Sequence, residues 1–506
     1  MFGQIAEGFI AMFTPLTIIL ASVGVIAGTI LGAIPGLTAT MGIALILPVT
    51  FYLDPVAGIV MLTAMYKGGL FGGSISAIMF NAPGTPAAAA TAADGYALKN
   101  KGYPRKAIRT ALIASMMGDM LGNLVLMFSA ATIASIALRF GPAEYTMLIL
   151  FALVLIVTVS QGTIAKSMIS VLIGLLLATI NADPVTSIPR LNFGLVDLSG
   201  GISIIALVIG LLAVSEVFST IEQHFRQKYK PDPKQKIEED HNKAISKKDD
   251  NVTFKGLFEI KRTLFRSAGI GTAIGALPGL GPVTAAFVGY GQALKKSKNR
   301  KNFGKGEPEG IAAAEAANSG VASANLIPLV TLGIPGDAEA AIIFGALIIH
   351  GIVPGPRIFE TNGTIIYGIF AGMLMASVIN LLFNWYASNI YRRISFIRPT
   401  VLAPIILVLC IAGTYGYSQA AFDIFVMFIF GLLGYLLKKI EVPLVGIIIG
   451  FVLGPTLETS FRQVLVVADG NFMLFFTQPI SLALFLLTLM IVINTIFRIL
   501  RAKKTA

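Results

Sequence analysis

Among 506 residues there are one cysteine, one tryptophan and three histidines, and only 13% of the chain is charged. A lone Cys410 permits neither an internal disulfide framework nor a cysteine metal cluster. Two of the histidines, His224 and His241, share one polar stretch, and no HExxH pair exists. There is no GxxxxGK[ST] phosphate loop. Gly72-Gly73-Ser74-Ile75-Ser76 ends in serine where GxSxG needs glycine, and Gly118-Asp119 lacks the preceding glycine of an intramembrane aspartyl protease. The chain therefore reads as a non-enzyme with no resident cofactor. The shortage of charge excludes more. An ordinary soluble domain is roughly a quarter charged, whereas this one is 55% hydrophobic, with a mean hydropathy of +0.81. A soluble enzyme, a disordered chain and a nucleic-acid binder are all set aside, and a helical membrane protein remains. Its 52 glycines and 24 prolines suit membrane helices that pack closely or break.

The net charge of +12 is distributed as loops, not as a patch. Of 38 Lys/Arg, 12 lie in 222–266, and others cluster at 99–109, 295–305, 392–398, 438–439 and 498–504. Such clusters between apolar runs mark cytoplasmic loops. The first 66 residues hold no Lys or Arg, which predicts no cleavable signal. The stretch 222–266 carries eight acidic residues as well, and it reads as a polar cytoplasmic linker between two membrane halves, 1–221 and 267–475, with an extra helix and tail in 476–506.

Runs of about 20 apolar residues predict spans at 107–135, 143–160, 163–181, 199–219, 364–390, 399–415, 420–437, 442–457 and 476–498. With every basic cluster placed inside, these alternate without conflict, leaving the C-terminus cytoplasmic and the N-terminus outside. Regions 14–98 and 267–349 do not read as simple spans, because Gly, Pro, Ser, Thr and Asn interrupt them at short intervals. Broken backbone at membrane depth is tolerated only where protein buries it or where it lines a cavity.

The two interrupted regions echo each other. Gly32-Ala33-Ile34-Pro35-Gly36-Leu37 is answered by Gly275-Ala276-Leu277-Pro278-Gly279-Leu280, and Asn81-Ala82-Pro83-Gly84-Thr85 by Gly333-Ile334-Pro335-Gly336-Asp337. Basic loops follow non-equivalent points of the two copies, so equivalent points face opposite sides of the membrane. The expected fold is an all-α polytopic membrane protein with two inverted-topology repeats and broken or re-entrant helices.

Breaks at Pro83-Gly84 and Pro335-Gly336 expose backbone groups. Half-helix N–H ends suit a carboxylate, and free carbonyls with Asn81, Thr85, Thr331, Gly333 and Asp337 suit Na⁺. Ser74, Ser76, Asn318, Ser319 and Asn325 lie beside these breaks as further substrate-binding candidates. So does Lys67, which could counter an anion or snorkel to an interface. Asp337 could ligate a cation, pair with Lys67 or cap the following helix. Asp94, Asp119, Glu315 and Glu339 are the other ionisable groups in or near these regions, each a functional hypothesis at membrane depth. Paired re-entrant loops also build channel filters, so a passive anion channel or pore is the rival class.

Tyr66–Thr85 (YKGGLFGGSISAIMFNAPGT), Asp94-Gly95-Tyr96 and Ala314–Gly336 (AEAANSGVASANLIPLVTLGIPG) resemble TctA, the large membrane subunit of the tripartite tricarboxylate transporters. The resemblance implies a secondary transporter of the bacterial cytoplasmic membrane that takes up citrate or another carboxylate, driven by Na⁺ or protons. It implies two partners, a small TctB-like membrane subunit and a TctC-like extracytoplasmic solute-binding protein. It also implies that Pro35, Gly36, Pro83, Gly84, Pro278, Gly279, Pro335 and Gly336 line the substrate and ion site.

Overall fold

A computed structural model describes residues 2–34, 38–160, 162–183, 186–229, 250–388, 391 and 399–505. Helices dominate, and the one strand pair among the described residues is β1 (Asn181–Ala182) with β2 (Pro189–Arg190), antiparallel. Nine described helices are long and apolar enough to cross a membrane, so the chain is an all-α polytopic membrane protein.

The first half runs α1 (Phe2–Met12), α2 (Pro15–Ala33), α3 (Ala39–Thr50), α4 (Pro55–Phe80), α5 (Ala88–Asn100), α6 (Pro104–Ala137), α7 (Pro142–Val159) and α8 (Ile164–Ala178). It closes with α9 (Ile204–Val208), a π-helical turn (Ile209–Val214) and α10 (Ser215–Tyr229). The second half runs α11 (Phe254–Glu259), α12 (Lys261–Gly275), α13 (Pro282–Lys296), α14 (Pro308–Ala324), α15 (Leu326–Leu332), α16 (Ala338–Ile349), α17 (Ile358–Thr361), α18 (Gly363–Ala387), α19 (Pro399–Ser418), α20 (Ala421–Lys439) and α21 (Leu444–Val467). Then come α22 (Leu474–Thr477) and α23 (Pro479–Thr505). Local chemistry sets many of the starts. Proline stands at the first turn of α2, α4, α6, α7, α13 and α14, where its missing N–H costs nothing. Thr14, Thr38 and Asp54 accept hydrogen bonds from the first free amides of α2, α3 and α4.

Two groups of helices form. An inner group packs α2, α4, α5 and α6 against α12, α13, α14 and α18. An outer group contains α7, α8, α10, α19, α20, α21 and α23, and α3 and α16 touch both. The pairing is reciprocal between the halves. The long helix α6 lies on α14 and the long helix α18 lies on α4, while α8 packs on α21 and the α9–α10 segment packs on α20.

One sequence reading needs revision. Region 14–98 holds two helices of crossing length, Pro15–Ala33 and Pro55–Phe80, the second uninterrupted through Gly68-Gly69 and Gly72-Gly73. Those glycines do not break α4; they let α2 come close. Backbone carbonyls of Val25 and Thr29 lie where Cβ atoms of Gly68 and Gly72 would stand, and in return Gly24, Gly28 and Gly32 of α2 face the carbonyls of Met61, Met65 and Gly69. Helix also enters the expected linker 222–266 from both ends, as α10 and as α11–α12; residues 230–249 of that linker lie outside the described residues.

Candidate solute and cation site

The first break follows α4. Asn81 takes the left-handed conformation (φ 54°) and its N–H closes the helix on the Ala77 carbonyl. The chain then folds back so that the Gly84 N–H donates to the Gly73 carbonyl at 3.2 Å. A Cβ at Gly84 would collide with the Gly32 carbonyl, so the Pro83-Gly84 turn presses on the end of α2. Ser76 Oγ donates to Gly73 O at 2.9 Å. Asn81 and Pro83 are exposed, Gly84 and Thr85 are buried, and Thr85 Oγ1 has no partner. Helix α5 starts without a side-chain cap, and its first amides turn back to the carbonyls of Thr85, Pro86 and Ala87.

The second break is built alike. Gly333 (φ 71°) ends α15, with its N–H on Leu329 O and the Ile334 N–H on Pro328 O. Gly279, also at positive φ, donates its N–H to Gly336 O at 3.0 Å. In the second half the two Pro-Gly turns meet directly, and in the first the Pro83-Gly84 turn rests on Gly32 at the end of α2. Asp337 caps α16, its Oδ1 accepting from the Ala340 N–H at 2.7 Å, which bears out the capping alternative. Its Oδ2 accepts from Tyr66 Oη at 2.7 Å and Asn325 Nδ2 at 2.6 Å, leaving Asn325 Oδ1 unpartnered. Thr331 Oγ1 donates back to Ile327 O at 2.7 Å, and Glu339 accepts from Thr40 of α3.

Three further carboxylates are buried among the inner helices, on α5, α6 and α14. Asp119 of α6 pairs with Lys67 of α4 at 3.0 Å, both buried. Lys67 Nζ also donates to Met373 O (2.8 Å) and Ser377 Oγ (3.0 Å), while Asp119 accepts from Ser323 (2.7 Å) and Ser377 (2.6 Å). Glu315 of α14 is fully buried and accepts, on Oε1, from Ser74 at 2.6 Å and from Thr91. Ser319 shares a hydrogen bond with Ser115 at 2.7 Å. Asp94 is buried too, and it accepts from the amides of Gly306 (2.9 Å) and Glu307 (2.8 Å) and from Tyr290 Oη (2.9 Å).

The structure thus joins some expected site residues and separates others. Asn325 meets Asp337, and Gly279 meets Gly336. Lys67 bonds to Asp119 instead of Asp337, because an aspartate on the neighbouring α6 reaches it first. Among the described residues no hydrogen bond links Asn81 or Thr85 to Thr331, Gly333 or Asp337. Pro278 and Pro335 are buried; Pro35 and Gly36 lie outside the described residues. Tyr66, Thr91, Thr40 and Ser377 were not singled out by sequence. Their one signal is a polar side chain in an apolar helix, which many packing residues share. A cavity of about 600 Å³ opens elsewhere, near the far end of α16, lined by Asn181, Phe344, Tyr417 and Phe451.

The cap at Asp337 gives a direct test. Asp337→Ala removes the acceptor for one orphan amide and two buried donors, which should cost about 2–4 kcal/mol. Asp337→Asn keeps one carbonyl oxygen for the Ala340 amide and should lose about half as much. Thermal unfolding of the detergent-purified variants ranks them, and equal losses would show that the cap contributes nothing.

Comparison with known proteins agrees with this architecture. The model of the tripartite tricarboxylate transporter TctA family matches residues 18–449. An uncharacterized 52.8 kDa protein in the TAR-I ttuC' 3' region of Agrobacterium vitis is 33% identical over 502 residues, covering 99% of this chain and 97% of that protein. A second Agrobacterium vitis protein, uncharacterized and in the TAR-II ttuC' 3' region, is 34% identical over 234 residues, or 46% of this chain and 97% of its own length. No solved structure matches. A family match over most of the chain, residues 18–449, places this protein in the tripartite tricarboxylate transporter TctA family.

Proposed function

We propose that the chain is the large membrane subunit of a secondary transporter that imports a carboxylate, citrate or a related di- or tricarboxylate, coupled to Na⁺ or H⁺. A TctC-like solute-binding protein delivers the substrate from outside, and a small TctB-like membrane subunit completes the assembly. The N-terminus lies outside and the C-terminus in the cytoplasm of a bacterial inner membrane, with the two halves as inverted repeats; the reciprocal packing of α6 on α14 and α18 on α4 favours that duplication.

The observation that carries the reading is the pair of Pro-Gly breaks, each leaving a buried oxygen without a partner, Thr85 Oγ1 at the first and Asn325 Oδ1 at the second. Broken helices with unspent polar atoms are the means by which membrane transporters hold a dehydrated solute and ion. The start of α5 carries the partial positive charge of a helix N-terminus and no acidic residue in its first turn, so it favours the substrate carboxylate. Were Na⁺ the coupling ion, Asn81 and Thr85 at the first break, or Thr331, Gly333 and Asp337 at the second, would hold it, its charge offsetting the several kcal/mol that a lone buried charge costs.

Proteoliposomes containing this chain and both partner subunits should accumulate labelled citrate or succinate only when a Na⁺ or pH gradient is imposed. No gradient-dependent uptake of either acid would overturn the transporter reading, and single-channel currents in planar bilayers would replace it with a passive anion pore.

A further inference from the structure

We propose that Glu315 is the group that binds the coupling proton, a step that rests on the carboxylate-import reading and narrows it to H⁺. Three observations meet at this side chain. First, it is fully buried at the contact of the two halves, on α14, where Ser74 of α4 and Thr91 of α5 reach it. Second, both hydroxyls donate to the same oxygen, Oε1, and Oε2 has no hydrogen bond within 3.5 Å. Third, Asn318 stands three residues on, on the same helix face, fully buried and beside the carboxylate, with no hydrogen bond within 3.5 Å made by its Oδ1 or its Nδ2.

Among the described residues no ion pair to this carboxylate is formed. From α4, Lys67 is committed to Asp119 at 3.0 Å. From α5, Asp94 is held by the Gly306 and Glu307 amides and Tyr290 of α13. On α6, Arg109 bonds Asn251 and Asp119 faces Lys67. On α12, Lys261 and Arg262 are exposed, and Arg266 donates to Thr263 at 3.3 Å. On α13, Lys295 and Lys296 end the helix, and on α14 itself Glu309 accepts from Thr263 and Ser297. An unpaired buried carboxylate is costly, and a nearby anionic solute would make it costlier.

One proton resolves the arrangement. It adds to Oε2, forming an O–H bond and a neutral acid, and that hydroxyl then donates to Asn318 Oδ1, so two unpartnered atoms are satisfied together. The proton comes from external water when the solute binds and returns to water on the cytoplasmic side. A sodium ion would need several oxygens around Oε2, and here Ser74 and Thr91 are already turned to Oε1.

Infrared difference spectroscopy of the purified chain reads this without any substrate. Wild type should show the carbonyl band of a protonated carboxylic acid that is missing from Glu315→Gln and weakens as pH is raised. In proteoliposomes with both partners, Glu315→Gln should lose pH-gradient-driven citrate uptake, and Glu315→Asp should regain it with a displaced pH profile. If wild type imports no citrate or succinate while the infrared band titrates, the transport reading fails and the protonation of Glu315 stands. If the variant lacks no band, or Na⁺ abolishes the band at fixed pH, or Glu315→Gln retains pH-driven uptake, the proposal is overturned.

Discussion

Lys67→Met is expected to cost about 3–5 kcal/mol of stability, and adding Asp119→Asn to the same chain is expected to recover most of it. Methionine keeps the length of the lysine stem but leaves Asp119 charged and without its counter-ion among buried helices. That carboxylate would keep only the hydroxyls of Ser323 and Ser377, and two neutral donors do not offset a full charge. The double variant removes the stranded charge, so the two changes should be strongly non-additive, as contacting partners are. Denaturant or thermal unfolding in detergent measures all four corners of the cycle. A single-variant loss under about 1 kcal/mol, or a double variant worse than the sum, would show that the pair is not holding α4 to α6. The same cycle assigns Lys67 its role. If the double variant still imports carboxylate, the lysine braces the fold; if uptake is lost while stability returns, it meets the solute.

The second large effect concerns the seam between α2 and α4. Gly28→Leu should cost at least about 3 kcal/mol, the upper end of ordinary overpacking penalties, and leave little folded protein in the membrane. The atoms in its way are the Met65 carbonyl and the Gly69 amide of α4, which cannot rotate aside as a side chain can. To admit the leucine the two helices must part along their whole line of contact. That would drag the Pro83-Gly84 turn off Gly32. Gly269→Leu in α12 is the control. Nothing lies within 4 Å of its missing Cβ, so the same substitution there should stay within about 0.5 kcal/mol. Comparable yields and melting temperatures for the two variants would refute the account of the seam.

The legible and illegible parts of this chain divide on physical lines. Apolar runs bounded by charge predicted α6, α7, α18 and α20 to within a few residues, because a helix in lipid must satisfy its own backbone and its length is fixed by the bilayer. The Pro-Gly turns were legible because proline and glycine together resist helix continuation; Gly279 sits at positive φ, and the left-handed residue ahead of the other two turns is Asn81 or Gly333. The glycine pairs in α4 were misread as weakness. Local sequence cannot tell a glycine that ends a helix from one that admits a neighbour, and the neighbour, α2, lies some forty positions away. The partners of the buried charges were equally hidden. Asp119 stands on the helix after next from Lys67, and Tyr66 finds Asp337 at a separation of 271 residues. Periodicity carries no information about such pairs, so the candidate ions could be named while their connections could not.

Asp94 draws its amide partners from 212 and 213 residues downstream, and Ser74 and Thr91 meet Glu315 from 241 and 224 residues away. During synthesis the leading portion of the chain is therefore laid into the bilayer with an acid and two hydroxyls still awaiting their mates. Until the trailing portion is inserted and slides alongside, those groups must lean on water or lipid headgroups. Closure of the inner helices is thus a late event in biogenesis, and the interval before it is when an insertion factor or a quality-control protease would find the nascent protein most open.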